Sequence, residues 1–122
     1  MKFTMENDSG INVIVMDGDL WGGEETYQMQ FRIKDAVTAL VERGERKFVM
    51  DLQKTKRANS AGIGLLVATF TTIKNLEARL KFCEVSDRVL TSMVVTGVKQ
   101  LFDIYPKRED AIRAFIGESL KT

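Results

Sequence analysis

The sequence contains no histidine, one cysteine (Cys83), one proline and one tryptophan among its 122 residues. Without histidine, the chain cannot build a Ser-His-Asp or Cys-His catalytic site, use imidazole as a general acid or base, or bind zinc through imidazole. A single cysteine excludes an intramolecular disulfide and a Cys-x-x-Cys metal or redox pair, and it fits the cytoplasm. No run of about 18 apolar residues occurs, so we expect no membrane-spanning helix.

The remaining composition is typical of one globular domain. Hydrophobic residues make up 44% and charged residues 29% of the chain, and the formal net charge is +1. No strong field therefore attracts nucleic acid or a membrane surface. The first ten residues lack the apolar segment of a signal peptide, so we expect a cytoplasmic protein. No linker, repeat or low-complexity segment interrupts the sequence, and we expect residues 1–122 to form a single domain.

Apolar periodicity predicts an initial hairpin followed by alternating helices and strands. Two alternating segments, 2–7 and 11–16, are separated by the turn Asp8-Ser9-Gly10 and predict the hairpin. The order β-β-α-β-α-β-α-β-α predicts an α/β fold with a largely parallel central sheet flanked by helices. The elements after the hairpin are a helix at 24–43, a strand at 48–52, a helix at 60–75, a strand at 80–85, a helix from Ser86 to Val95, a strand at 101–105 and a helix after Pro106.

Helical spacing also predicts which apolar side chains of these helices face the core. Ser86 is a good N-cap for the third helix, while Gly44 and Gly97 suit the ends of the first and third helices. The predicted inward residues are Tyr27, Phe31 (or Gln30), Ile33, Val37, Leu40 and Val41 in the first helix, Ile63, Leu66, Val67, Phe70 and Ile73 in the second, Val89, Met93 and Val94 in the third, and Ala111, Ile112, Phe115 and Ile116 in the last.

The segment Lys47 to Leu66 carries the candidate chemistry, because an apolar strand leads through a polar loop to Ser60 at the start of an apolar helix. The first-turn N–H groups of a helix have no partners within the helix, and the helix dipole is positive there, so this position suits a phosphate. The alternative is that Ser60 is only an N-cap residue. Similarly, Gly62 and Gly64 either help to cradle a phosphate or let the helix pack closely.

The residues around Ser60 resemble a known family. Asn59-Ser60-Ala61-Gly62-Ile63-Gly64, after the strand 48–52, is similar to the D-S-x-G-L-G motif of the STAS domain family, and most closely to bacterial anti-sigma factor antagonists. The similarity extends over about residues 2–117. Three further segments agree, namely Gly18-Asp19-Leu20 with the family's G-E-L-D element, residues 96–105 with the sequence before its last strand, and Glu109-Asp110-Ala111 with its E-E-A helix start.

The resemblance implies a STAS-like domain without enzymatic activity or a cofactor. Its members bind a serine-kinase anti-sigma factor and so release a sigma factor, and the serine of the motif, here Ser60, is the phosphoacceptor. Phosphorylation by that kinase blocks binding, and a phosphatase reverses it. We expect the partner-binding surface to comprise Asp19, Leu20, Trp21, Lys56, Arg57, Asn59, Ser60, Ala61 and Gly62.

Two residues depart from the family pattern. Asn59 replaces the aspartate of D-S-x-G, and Trp21 replaces the aspartate that ends G-E-L-D. Both changes remove a carboxylate near Ser60, but Trp21 suits a protein interface. The alternative for Trp21 is a half-buried lid over the sheet edge. The basic run 54–57 allows two interpretations. In the first, Lys56 or Arg57 contacts a phosphate on Ser60 or an acidic patch on the partner. In the second, the run is only a solvated loop.

Three other functional interpretations follow from the same residues. A phosphotransfer receiver domain would use Asp51 with the acids Asp17 and Asp19, but these acids are too close in sequence to Asp51, which we expect to be a solvated strand-end acid. The second is a STAS adaptor that is never phosphorylated, in a larger signalling assembly or on the ATPase of a lipid-transporting ABC system. The third interpretation is a homodimer with apolar groups such as Trp21 in its interface.

Overall fold

A computed structural model describes residues 1–120 and shows the predicted order of elements. One short 3-10 turn, Lys99–Leu101, is added before the last strand. The elements are the strands β1 (Lys2–Asp8), β2 (Ile11–Asp17), β3 (Lys47–Lys54), β4 (Arg79–Cys83) and β5 (Ile104–Tyr105), and the helices α1 (Glu24–Glu42), α2 (Ser60–Asn75), α3 (Asp87–Val95) and α4 (Arg108–Leu120).

The five strands form one sheet in the order β1-β2-β3-β4-β5. β1 is antiparallel to β2, and the following pairs are parallel, which confirms the α/β fold. Helices α1, α2 and α3 cover one face of the sheet, and α4 covers the other. The central strand β3 is buried on both faces, as its nearly continuous apolar run predicts. None of the helices among residues 1–120 is long and apolar enough to cross a membrane.

The last strand is shorter than predicted. We expected a strand over 101–105, but β5 contains only two residues, and Leu101 is exposed at the end of the 3-10 turn. The turn directs Phe102 into the core, where its ring centroid lies 4.4 Å from that of Phe82 and 5.6 Å from that of Phe70. Apolar alternation over so few residues does not distinguish a strand from a turn that delivers one aromatic ring to the core.

The prediction is wrong for four side chains that were expected to face the core, because they lie on the surface. In α1 the buried row is Thr26, Met29, Ile33, Val37 and Val41. Tyr27 and Phe31 lie outside this row, on the solvent side of the helix, and are 50% and 45% exposed. Val94 in α3 and Ile116 in α4 are exposed as well. The prediction followed helical spacing, which Tyr27 and Phe31 satisfy as well as Met29 and Ile33 do, and the packing of α1 places the Met29 row over the sheet.

Asp51 is buried rather than solvated, so our expectation of a solvated strand-end acid is wrong. Asp51 is 3% exposed, and its Oδ2 accepts a 2.9 Å hydrogen bond from Nε of Arg108 at the start of α4. The Nη1 of Arg108 donates to Glu6 in β1 at 2.7 Å. Burial opposes the charge of Arg108, but the hydrogen bonds to Glu6 and Asp51 outweigh it and raise the pKa of the guanidinium. This pairing fixes the N-terminal end of α4 on the sheet.

Lys81 in β4 is a second buried charge beneath α4, and it is 1% exposed. Its Nζ donates to Asp103 at 2.6 Å and to Glu118 of α4 at 2.8 Å, and it lies 4.6 Å from the ring centroid of Phe115. Burial acts to lower the pKa of Lys81, but the hydrogen bonds to Asp103 and Glu118 together raise it. Lys81 therefore fixes the other end of α4, a role that no local sequence pattern indicates.

A candidate phosphoacceptor site at the start of helix α2

Asn59, and not Ser60, caps helix α2. Asn59 has an extended backbone (φ −106°, ψ 176°), and its Oδ1 accepts a 2.8 Å hydrogen bond from the Gly62 N–H. Its carbonyl accepts the first helical bond, from the Ile63 N–H at 2.9 Å. Asparagine, aspartate and serine are about equally good N-caps, so the residue type alone does not distinguish Asn59 from Ser60 as the cap. The interpretation of Ser60 as an N-cap is therefore wrong.

Ser60 is the first residue of α2 and is exposed. Within residues 1–120 its hydroxyl makes no hydrogen bond, because the capping bond is made by Asn59 instead. The N–H groups of the first turn and the positive end of the helix dipole lie beside it. A phosphate on this hydroxyl would thus meet solvent and a favourable field, without displacing an interaction that stabilises the helix.

The loop after β2 packs against the loop that leads to Ser60. Backbone bonds join Leu20 N to Arg57 O at 2.9 Å and Asn59 N to Leu20 O at 3.1 Å. Oδ1 of Asn59 accepts a second bond, from Gly22 N at 3.2 Å. One oxygen thus caps α2 and also holds the loop that carries Trp21. These contacts join residues far apart in the sequence (Gly22 and Asn59 are 37 positions apart), and the local sequence pattern does not predict them.

Asp19 has a structural role at the same junction. Its Oδ1 accepts the backbone N–H groups of Lys56 and Arg57 at 3.0 and 3.1 Å. The Lys56 ammonium donates to Gln53 O at 3.1 Å, and the side chains of Lys56 and Arg57 are exposed. The carboxylate of Asp19 is therefore already engaged, while the two basic side chains lie on the surface of the Ser60 loop.

Two glycines permit the close approach of the two loops. A Cβ added to Gly62 would lie 1.7 Å from the carbonyl oxygen of Leu20, and one added to Gly22 would lie 2.3 Å from Cβ of Ala61. By contrast, a Cβ on Gly64 would meet nothing within 4 Å. The close-packing alternative thus explains Gly62, whereas Gly64 leaves an open space on the surface of α2.

Helix α3 holds the Ser60 loop from the other side. The Ser86 hydroxyl donates to Lys56 O at 3.0 Å and, as predicted for an N-cap, accepts from Val89 N at 3.2 Å. The Ser92 hydroxyl donates to Ala58 O at 2.7 Å. The loop is therefore bonded to the β2–α1 loop and to α3, so it presents Ser60 in a fixed position.

Exposed aromatic side chains lie on the β2–α1 loop and on the start of α1, the elements that pack against the loop of Ser60 and the first turn of α2. Trp21 is 47% exposed, and the ring centroids of Tyr27 and Phe31 lie 5.1 Å apart in an edge-on contact. A groove of about 230 Å³ separates the first turns of α1 and α2. Its lining residues are Gly22, Gly23, Thr26, Tyr27, Gln30, Ala61, Gly64 and Leu65. We call Trp21, this groove and the exposed residues Lys56, Arg57, Asn59, Ser60 and Ala61 the Ser60 surface.

The residues that the sequence predicts for partner binding do come together, but they divide into two groups. Leu20 and Gly62 are buried, and the half-buried Asp19 is bonded to two backbone N–H groups, so in this structure these three residues support the loops. The exposed members are Trp21, Lys56, Arg57, Asn59, Ser60 and Ala61. Their role in partner binding stays a prediction.

The same geometry removes the receiver-domain alternative. A receiver phosphorylates an open aspartate at a strand end with the help of neighbouring acids. Here Asp51 is buried and paired with Arg108, and Asp19 is bonded to two backbone N–H groups. Asp51, the residue that would accept the phosphoryl group, is therefore buried and engaged in an ion pair.

The sequence profile of the STAS domain matches residues 3–111, nearly the whole chain. The chain belongs to the STAS domain family. This STAS domain is 24% identical to BtrV of Bordetella bronchiseptica over 115 residues, which cover 94% of the chain and 95% of BtrV. It is 26% identical to the anti-sigma-B factor antagonist of Bacillus subtilis over 108 residues, which cover 88% of the chain and 91% of that protein.

A solved structure with the same fold is SpoIIAA from Bacillus in its phosphorylated form. It has a TM-score of 0.63 and 16% identity, and the match covers 93% of this STAS domain and 99% of SpoIIAA. At this identity the comparison shows the fold alone. It agrees with the α/β architecture in which the Ser60 loop follows the central strand β3.

Proposed function

We propose that this STAS domain is an anti-sigma factor antagonist whose Ser60 surface binds a serine-kinase anti-sigma factor, and that phosphorylation of Ser60 switches the binding off. A phosphatase acting on phosphorylated Ser60 restores it. Such a protein acts as a binding module in the cytoplasm. The observation that carries the proposal is an exposed serine hydroxyl with no structural bond, on a loop held on both sides, beside an exposed tryptophan.

The physical basis of the switch is the cost of burying a phosphate in a protein interface. Phosphorylation adds about −1.5 to −2 charge units and three acceptor oxygens. A kinase that packs against the neutral hydroxyl and the neighbouring aromatic groups would have to desolvate that charge. The cost of several kcal/mol corresponds to a loss of about 100-fold or more in affinity.

The comparisons support the regulatory class, since the Bacillus subtilis relative is named an anti-sigma-B factor antagonist. The exposed Lys56 and Arg57 support a finer role. Their side chains lie in the loop next to Ser60 and are available to an acidic group of the partner or to the phosphate itself.

The experiment is a pull-down from native lysate with wild type, Ser60→Ala and Ser60→Asp, followed by incubation of the captured complex with ATP. We expect wild type and Ser60→Ala to retain an anti-sigma kinase, Ser60→Asp to lose it, and ATP to place one phosphate on Ser60 of the wild type alone. Ser9→Asp is a matched control, because it adds the same charge at an exposed serine in the distant β1–β2 turn.

Two outcomes contradict the proposal. If Ser60→Asp binds the partner as well as wild type does, phosphorylation is not the control. If mass spectrometry of the native protein finds no phosphate on Ser60 during growth and stress, the non-phosphorylated adaptor becomes the better interpretation.

A further inference from the structure

Strand β1 forms one edge of the sheet, and its outer side carries backbone groups without a strand partner among residues 1–120. The turn after it has positive φ at Ser9 (56°) and Gly10 (84°), as in a two-residue type I′ hairpin. In such a hairpin the flanking pair, Asp8 and Ile11, is hydrogen-bonded, and hydrogen-bonded pairs then alternate along the ladder. The even-numbered residues of β1 therefore bond to β2. Its odd-numbered residues direct their N–H and C=O groups outward.

The side chains of β1 alternate in the same way. Lys2, Thr4 and Glu6 are exposed on the sheet face that α4 covers, whereas Phe3 and Met5 are half-buried and pack against the core on the other face. An apolar row and a charged row thus run side by side along an open edge. The charged row carries a cation at one end and an anion at the other.

These rows are complementary to a second copy of the same strand. An antiparallel copy must place odd-numbered residues opposite odd-numbered residues, so that the outward backbone groups meet. When the two strands are centred on Thr4, Phe3 faces Met5 of the second copy and Lys2 faces Glu6 of the second copy, each twice by symmetry. Centring on Phe3 places Lys2 opposite Thr4. Centring on Met5 pairs Lys2 with Asp8, but it places Phe3 opposite Asn7 and so loses the apolar pair.

We propose that this chain forms a homodimer in which two β1 strands pair antiparallel about Thr4, so that one sheet continues through both copies. An edge lysine normally prevents such pairing. Here Lys2 meets the second carboxylate oxygen of Glu6 in the other copy instead, while Oε2 of that Glu6 keeps the bond from Arg108 of its own chain. No residue of the Ser60 surface lies in β1, so the dimer and the proposed switch are independent of each other.

A cysteine at Thr4 tests the register. The two Thr4 residues form a non-hydrogen-bonded pair, with Cα atoms about 4.5 Å apart, within the reach of a disulfide. We expect Thr4→Cys to give a disulfide-linked dimer rapidly under mild oxidation. Thr71→Cys is the control, because it places a thiol at an exposed position of α2. The native Cys83 is buried and does not contribute. Equal rates of cross-linking in the two variants would overturn the proposed register.

Charge at the same position tests the association itself. Thr4→Lys and Thr4→Glu each oppose like charges across the dimer axis, and we expect each variant alone to dimerise at least about tenfold more weakly than wild type. An equimolar mixture should regain dimers, because lysine then faces glutamate. Sedimentation equilibrium measures both effects, and thermal unfolding of each variant verifies its fold. The proposal is wrong if wild type stays monomeric at the highest attainable concentration, or if the mixture associates no better than the separate variants.

Discussion

Replacing Gly62 by alanine tests the close contact that joins the Ser60 helix to the loop after β2. The added Cβ would lie 1.7 Å from the carbonyl oxygen and 2.3 Å from the carbonyl carbon of Leu20. Both atoms belong to the backbone, so no rotamer change relieves the clash. The carbonyl must retreat by more than about 1 Å to reach an ordinary contact distance of about 3.4 Å. That movement pulls on the bonds that Leu20 makes to Arg57 and Asn59.

The expected cost is the difference between two effects. Alanine improves helix propensity over glycine by about 1 kcal/mol. Overpacking against a fixed backbone costs about 1–3 kcal/mol, and losing the bond between Asn59 N and Leu20 O adds about 1 kcal/mol. We therefore expect Gly62→Ala to lower the free energy of unfolding by about 1–3 kcal/mol, which corresponds to about 4–15 °C in Tm for a chain of this size.

Gly64→Ala is the matched control, since it lies one half-turn along the same helix and its Cβ meets nothing within 4 Å. Gly64→Ala should raise the free energy of unfolding by up to about 1 kcal/mol, because alanine has the higher helix propensity. Urea denaturation followed by circular dichroism measures both variants, with the slope of each transition serving as a check on two-state unfolding. If Gly62→Ala is as stable as Gly64→Ala, the close approach between α2 and the Leu20 backbone is not real, and our account of the junction is wrong.

Two further variants test the cap and the buried lysine. Asn59→Ala removes the oxygen that accepts from Gly62 N and Gly22 N, and we expect it to lower the free energy of unfolding, measured by urea denaturation, by about 1–3 kcal/mol. Asn59→Asp keeps an acceptor oxygen and should lower it by less than about 0.5 kcal/mol. Equal losses in the two variants would contradict the shared cap. Asp103 and Glu118 raise the pKa of Lys81 in the folded protein. The charged Lys81 therefore stabilises the fold fully below about pH 10.4, the pKa of lysine in the unfolded chain, and this stabilisation is lost as the pH rises through the pKa of Lys81 in the folded protein. The urea midpoint of wild type should therefore fall more steeply above about pH 10 than that of Lys81→Met, and parallel curves would refute this.

The order of elements was predictable because each element carries its own local pattern. Phe48 to Leu52 is an apolar run bounded by polar loops, and the helices show apolar residues at helical spacing. The faces of the helices were less predictable. Tyr27 and Phe31 recur at a spacing of four, just as Met29 and Ile33 do, and only the packing of α1 on the sheet decides between these rows.

The location of the candidate site was also predictable, but its internal bonds were not. Ser60 was identified from a local motif, whereas Asn59, Gly22 and Asp19 meet only after the loops following β2 and β3 come together. The same holds for Arg108 and Asp51, which are 57 positions apart in the sequence. Contacts at such separations leave no periodic signal, so sequence reasoning treated Asp51 as an isolated acid.

Asn59 changes the charge of the site without changing its geometry. Both of its structural bonds are accepted by one side-chain oxygen, which an aspartate would also provide. The family's aspartate would place a negative charge beside the phosphoacceptor. At a separation of about 6 Å, and with an effective dielectric constant between about 20 and 80, that charge would oppose each unit of negative charge on the phosphate by about 1–3 kcal/mol. Under the proposed function, asparagine therefore lowers the electrostatic cost of the phosphorylated state while the loop, the cap and the exposed hydroxyl stay in place.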